Sequence, residues 1–157
     1  MESTKPTLIS YYKILTSSET FDLLIYGSRN CASPNYMSKH VLIIDDERDI
    51  RETLQELLES EGHHITLASN GQDALNLLHS PSEEKFDLIL LDLMMPVMSG
   101  IDFRLEQQKD PQLRQIPTYL MSASRNTQKV SSELELSGFI NKPIEINELF
   151  SVIENAV

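Results

Sequence analysis

From His40 onward the apolar positions of the chain switch repeatedly between two spacings. Val41-Leu42-Ile43-Ile44 is a short apolar run, rich in β-branched residues, that stops abruptly at Asp45-Asp46-Glu47. Such a run reads as a strand buried on both faces. Ile50, Leu54, Leu57 and Leu58 then recur on one helical face with Glu and Gln between them, and Gly62 supplies the stop. Residues 64–68 predict a second strand, and Asn70 an N-cap for a helix carrying Ala74, Leu75, Leu77 and Leu78. Residues 86–91 predict the third strand, ended by Asp92, and residues 101–108 another helix closed off by Asp110-Pro111. A fourth strand is expected over 118–121, a short helix over 124–134 and a small fifth strand over 138–140, ending at Lys142-Pro143. The last helix, over 144–156, turns Ile146, Leu149, Phe150, Val152 and Ile153 inward. Five units of this kind imply a parallel sheet covered by helices on both faces. Right-handed crossovers gather the polar strand ends on one edge, where open α/β sheets bind ligands.

Residues 1–36 do not share this rhythm. They hold one strand-like run, residues 21–26, a helix-like stretch over 8–15, and a loop-like segment over 27–35. Met37 stands just before the first strand, so the expected organisation is an extension over 1–36, loosely ordered or a mis-assigned start, and a domain over 37–157.

Charge sharpens that division. Residues 1–36 carry three basic and three acidic side chains, so the whole net charge of −11 belongs to residues 37–157. An acidic surface of this kind repels nucleic-acid phosphates and anionic membranes, and neither is expected as a partner. No apolar run is long enough to span a bilayer, and no basic region followed by an apolar one opens the sequence, so a secretory signal is not expected. The single cysteine, Cys31, rules out an intrachain disulfide and suits a reducing cytoplasm.

The chemistry sits at the strand ends. Asp45 and Asp46 follow the first strand and Asp92 the third, so the fold brings three carboxylates to one edge. Two like charges about 4 Å apart repel by roughly 4 kcal/mol at an effective dielectric near 20, so such a group needs hydration, a proton or a cation. Few oxygen ligands with positions left for water suit Mg²⁺ better than Zn²⁺. Ser122 ends the fourth strand and offers a hydroxyl; Lys142 ends the fifth and offers a fixed positive charge. Positioning plus positive charge is what phosphoryl transfer requires, and Asp92 is placed as its carboxylate nucleophile.

Four segments carry a resemblance: residues 41–47, residues 87–100 with Asp92, Pro96 and Gly100, residues 116–123 with Met121-Ser122-Ala123, and residues 139–143. Each alone is weak, but all four in order, each at a strand end, resemble the receiver domain of two-component response regulators, of the stand-alone, chemotaxis-regulator-like kind. The resemblance covers roughly the last three quarters of the chain. It implies a flavodoxin-like (βα)5 fold with strand order 2-1-3-4-5. It also implies that Asp92 is the phospho-acceptor, that Asp45, Asp46, Asp92 and the Met94 carbonyl hold Mg²⁺, and that Ser122 and Lys142 hold phosphoryl oxygens. Ser122 and Phe139 would be switch residues, Phe139 without a phenolic hydroxyl.

Implied partners are a sensor histidine kinase or histidine phosphotransfer protein, and a downstream protein bound at the face of the fourth helix, fifth strand and last helix. The chain would be a monomer or weak dimer and primarily a signalling switch. Two positions depart from the family pattern: Met94 is apolar where a polar side chain is common, which implies slow dephosphorylation, and Glu135 stands where Gly is common.

Other readings carry less. Any one of the three Asp residues could simply cap a helix. Met94, Met95 and Met98 read as loop packing, Phe139 by itself as a core aromatic, and His40, His63, His64 and His79 as surface residues. A haloacid-dehalogenase-like phosphohydrolase needs a second Asp two residues after its nucleophile, where Met94 stands. The main alternative keeps the fold as a phosphorylation-independent interaction scaffold.

Overall fold

A computed structural model of the chain describes residues 37–81, 85–123 and 134–156. The expected extension over 1–36 and nearly all of the helix expected over 124–134 lie outside the described residues. Five parallel strands, β1 (His40–Ile44), β2 (His64–Ala68), β3 (Leu88–Asp92), β4 (Thr118–Ser122) and β5 (Gly138–Asn141), form one sheet in the order β2-β1-β3-β4-β5. Four helices are described: α1 (Arg48–Ser60), α2 (Gly71–Leu78), α3 (Gly100–Lys109) and α4 (Ile146–Asn155). The architecture is the flavodoxin-like one that the apolar rhythm and the resemblance together imply.

The strands are apolar on both faces because both faces are covered. Val41 and Ile43 of β1, with Leu88, Leu90, Met121 and Ile140, pack against Leu54 and Leu58 of α1 and Leu149 and Ile153 of α4. The alternate residues Leu42 and Ile44, with Ile89, Leu91 and Leu120, pack against Ala74 and Leu75 of α2 and Phe103 of α3. Successive side chains of a strand point to opposite faces, so β1, β3 and β4 each feed two separate cores, while edge strand β5 gives only Ile140 to the first. Burying each such side chain contributes about 1.5–3 kcal/mol.

The helix starts follow local chemistry. The Asn70 side chain accepts from Asp73 N at 2.9 Å, as the sequence predicts. Ser99 accepts from Asp102 N to open α3. Gly62, at φ 90, supplies the left-handed turn after α1 that a side chain would resist.

Several boundaries differ from expectation. The third strand begins at Leu88, not residue 86, because Asp87 is spent bracing β1: its Oδ2 accepts from His40 N at 2.8 Å. A short 3-10 turn, Leu113–Gln115, follows α3, with Asp110 Oδ1 accepting from Gln112 N. α4 starts at Ile146, two residues late, while Ile144 is already in the core. His63 is buried, not on the surface; its Nδ1 accepts from Lys39 N, and burial, helped by Lys39, pulls its pKa down.

Candidate functional site

Strand register brings distant residues together. β1 and β3 pair with Ile44 beside Leu91, so Asp45 and Asp92 emerge side by side. β3 pairs with β4 at Asp92 and Met121, which places Ser122 one residue beyond. β4 pairs with β5 at Ser122 and Asn141, and Lys142 N then donates to Ser122 O at 2.9 Å. Four chain segments thus deliver Asp45, Asp92, Ser122 and Lys142 to one edge.

Lys142 joins the two carboxylates. Its Nζ donates to Asp45 Oδ2 at 2.8 Å and to Asp92 Oδ1 at 2.6 Å. The other oxygens are held by backbone amides, Asp45 Oδ1 by Glu47 N at 2.9 Å and Asp92 Oδ2 by Met94 N at 2.8 Å. The Asp45 side chain is 0% exposed, that of Asp92 10% and that of Lys142 17%. Burial pushes the Asp45 carboxyl above the usual carboxylate range, against the opposing Lys142 and Glu47 hydrogen bonds. Burial also disfavours the Lys142 ammonium, but its two carboxylate partners outweigh that and hold its pKa up. The result is a charge cluster with one cation for two anions.

Asp46 is exposed beside this cluster and takes part in none of these bonds. Met94 is 81% exposed, so it does not pack as the sequence suggests, whereas Met95 does, at 8%. Phe139 is 37% exposed on β5, and Ser122 is buried.

Among the described residues no three His, Cys, Asp or Glu side chains converge as a metal cage. The donors present nevertheless fit a hard divalent ion that keeps much of its water: they are all oxygens, two are buried next to each other, and Asp46 lies open alongside. Lys142 supplies part of the charge that such an ion would otherwise supply.

Two further residues support the site. A Cβ on Gly100 would collide with the carbonyl oxygen of Asp92, so only glycine lets α3 start this close to β3. Arg51 donates to the Asp45 carbonyl and ties α1 to the same edge. Gly100 was visible within the motif; Arg51 carried no signal beyond its place on α1.

Residues 41–154 match the family model of the response regulator receiver domain. The chain belongs to that family. Receiver domains serve phosphorelay signalling in two-component systems, and phosphorylation on Asp is a general property of theirs. The response regulator SaeR of Staphylococcus epidermidis is 38% identical over 112 residues, 70% of this chain and 46% of that protein. TrrA of Thermotoga maritima, a response regulator solved in complex with Mg²⁺ and BeF, superposes with a TM-score of 0.66 at 30% identity, over 76% of this chain and 99% of that one. The chemotaxis response regulator CheY4 of Vibrio cholerae shares the fold at a TM-score of 0.69 and 23% identity, over 77% of this receiver and 100% of that chain. The receiver chain spans about half the length of the curated relatives it matches. No helix among its described residues is long and apolar enough to cross a membrane.

Proposed function

We propose that this receiver accepts a phosphoryl group on Asp92 from a phosphohistidine of a sensor kinase or phosphotransfer protein, and that the acyl phosphate changes what the domain binds. The observation that carries the reading is the Lys142 ammonium held between Asp45 and Asp92. A carboxylate oxygen of Asp92 attacks phosphorus as the phosphorus–nitrogen bond of the donor breaks, and the nitrogen keeps the electron pair. Lys142, already within 2.6 Å of the nucleophile, moves with the arriving charge onto the phosphoryl oxygens. Ser122 lies one residue past the strand partner of Asp92, and its hydroxyl supplies a donor to the same group.

Asp45, Asp46, Asp92 and the Met94 carbonyl would hold Mg²⁺, which supplies the positive charge that one lysine cannot. That TrrA, similar to this chain, was solved in complex with Mg²⁺ and BeF supports the choice of Mg²⁺. Phe139, on β5 three residues before Lys142, would carry the change to the face of the helix expected over 124–134, β5 and α4, where the downstream partner binds. The domain boundary near residue 37 and a monomer or weak dimer belong to the same reading.

Acetyl phosphate and Mg²⁺ followed by intact mass tests it. Wild type gains one phosphoryl mass and Asp92→Ala gains none. An unmodified wild type leaves the phosphorylation-independent scaffold in its place, and a modified Asp92→Ala removes Asp92 as the acceptor.

A further inference from the structure

One buried charge has no part in the site described. Arg104 of α3 is 3% exposed, and among the described residues no carboxylate lies within ion-pair distance of it. Burial pulls its pKa down, opposed by Glu135. A guanidinium buried without a carboxylate is costly, and a Leu or Met would fill the space without that cost. What arginine adds is a planar fork of donors.

The fork grips the chain just ahead of β5. Arg104 Nε donates to Leu134 O at 2.9 Å and Nη2 to Glu135 O at 2.6 Å. Nη1 donates to Gln107 Oε1 at 2.9 Å and reaches Thr118 Oγ1, at the start of β4, at 3.4 Å. Gln108 Nε2 adds a second bond to Leu134 O at 3.0 Å. The gripped corner is unusual: Glu135 has φ 47, a left-handed state that a residue with a side chain adopts rarely. Two side chains of one helix, Arg104 and Gln108, therefore fix two successive carbonyls in an unfavourable turn, with Gln107 holding the Arg104 guanidinium from behind.

β5 needs such an anchor. It is four residues long and, among the described residues, lies at the sheet edge, paired only with β4. At its entry Ser137 N donates to Thr118 O, next to the Arg104 cluster. At its exit stands Lys142, whose ammonium must sit within hydrogen-bond reach of two carboxylates. A strand tied on one side only transmits any slack at its entry to its exit.

We propose that Arg104 is a positioning residue: by clamping the Leu134–Glu135 corner to α3 it sets the placement of β5, and so of the Lys142 ammonium between Asp45 and Asp92. The inference rests on the reading of Asp92 as acceptor only for its kinetic consequence. The placement of Lys142 can be read without any phosphoryl transfer.

The test compares wild type, Arg104→Met, Lys142→Ala and the double variant. Competitive acetylation with acetic anhydride, followed by peptide mass spectrometry, reads Lys142 against the exposed Lys109 of the same chain. Arg104→Met raises the relative labelling of Lys142 by about fivefold, within the span expected for residues coupled through a packed network. Acetyl-phosphate transfer slows by a similar factor in Arg104→Met, yet the same substitution changes it less than about twofold in the Lys142→Ala background, because the effect runs through Lys142. A merely structural role would lower the melting temperature and leave Lys142 labelling at the wild-type level; that result overturns the proposal, as do additive kinetic effects. If Arg104→Met does not fold, Gln108→Ala removes one bond to the same carbonyl from a half-exposed position. It should raise Lys142 labelling about twofold, and no change there overturns the proposal equally. A wild type that takes no phosphoryl group, with the labelling shift intact, defeats the acceptor reading and leaves the placement role standing.

Discussion

Replacing Lys142 with Met leaves two buried carboxylates facing each other without their shared cation. Removing one partner of a buried charge pair costs roughly 3–5 kcal/mol where water cannot reach. The Lys142 side chain is 17% exposed, so solvent screens part of the loss and about 2–4 kcal/mol is expected near pH 8. The deficit also has a pH signature. Folded Asp45 already has its pKa above the unfolded value of 3.8. A carboxyl shifted upward in the folded state contributes stability that is complete below the unfolded value and is lost as pH rises through the folded one.

Deleting Lys142 removes the hydrogen bond and the attraction that restrain this upward shift, so the folded value climbs and the loss extends to higher pH. Lys142 itself, with its pKa raised, stays charged in wild type throughout this range. The Lys142→Met deficit should therefore be largest near pH 8 and shrink toward pH 5. Urea unfolding at several pH values measures it; with a slope of about 1–3 kcal/mol per molar urea, the midpoint drops by roughly 1–3 M at the alkaline end. A variant as stable as wild type near pH 8, or a deficit that grows on acidification, would refute the reasoning.

Further outcomes follow from single positions. Gly100→Ala forces a methyl group into the Asp92 carbonyl, so α3 must shift; a loss of about 1–3 kcal/mol in thermal unfolding is expected, together with slower phosphoryl transfer. Val97, β-branched and 86% exposed, is held at φ 68; Val97→Gly relieves that state and should raise stability by about 0.5–1 kcal/mol, and a loss of stability would count against strain at this turn. Met94 stands exposed two residues past Asp92 with a side chain that cannot orient water, so on the proposed reading Met94→Asn should shorten the phosphoryl lifetime about tenfold, followed by the decay of phosphorylated mass.

The sheet was legible in the sequence because each buried strand is an apolar run cut off by a polar residue. The strand-end chemistry was legible for the same reason, since Asp45, Asp92 and Lys142 are where those runs stop. Asn70 could be read as a cap because its partner, Asp73 N, lies three residues away. What escaped depended on contacts between distant segments. Nothing near Arg104 in the chain says that its guanidinium meets carbonyls 30 and 31 residues later. Buried His63 accepts from Lys39 N, 24 residues earlier, and Asp87 is spent on His40 N, 47 residues earlier. The left-handed turn at Glu135 was hinted at by the glycine common there, yet the clamp that sustains it was not.

The double-sided burial of the strands has one more consequence. A half-exposed strand is kept in register by its water-facing residues, but β1 has apolar residues for both compartments from Val41 to Ile44. Sliding it by one residue would exchange the occupants of the two cores, with one polar residue, His40 or Asp45, drawn into the apolar stretch. The slide would also carry Asp45 about 3.3 Å along the strand axis, out of reach of Lys142. The acidic residue at the tip thus marks where the strand must stop, and the charge cluster of Asp45, Asp92 and Lys142 also keeps the ruler by which the sheet is assembled.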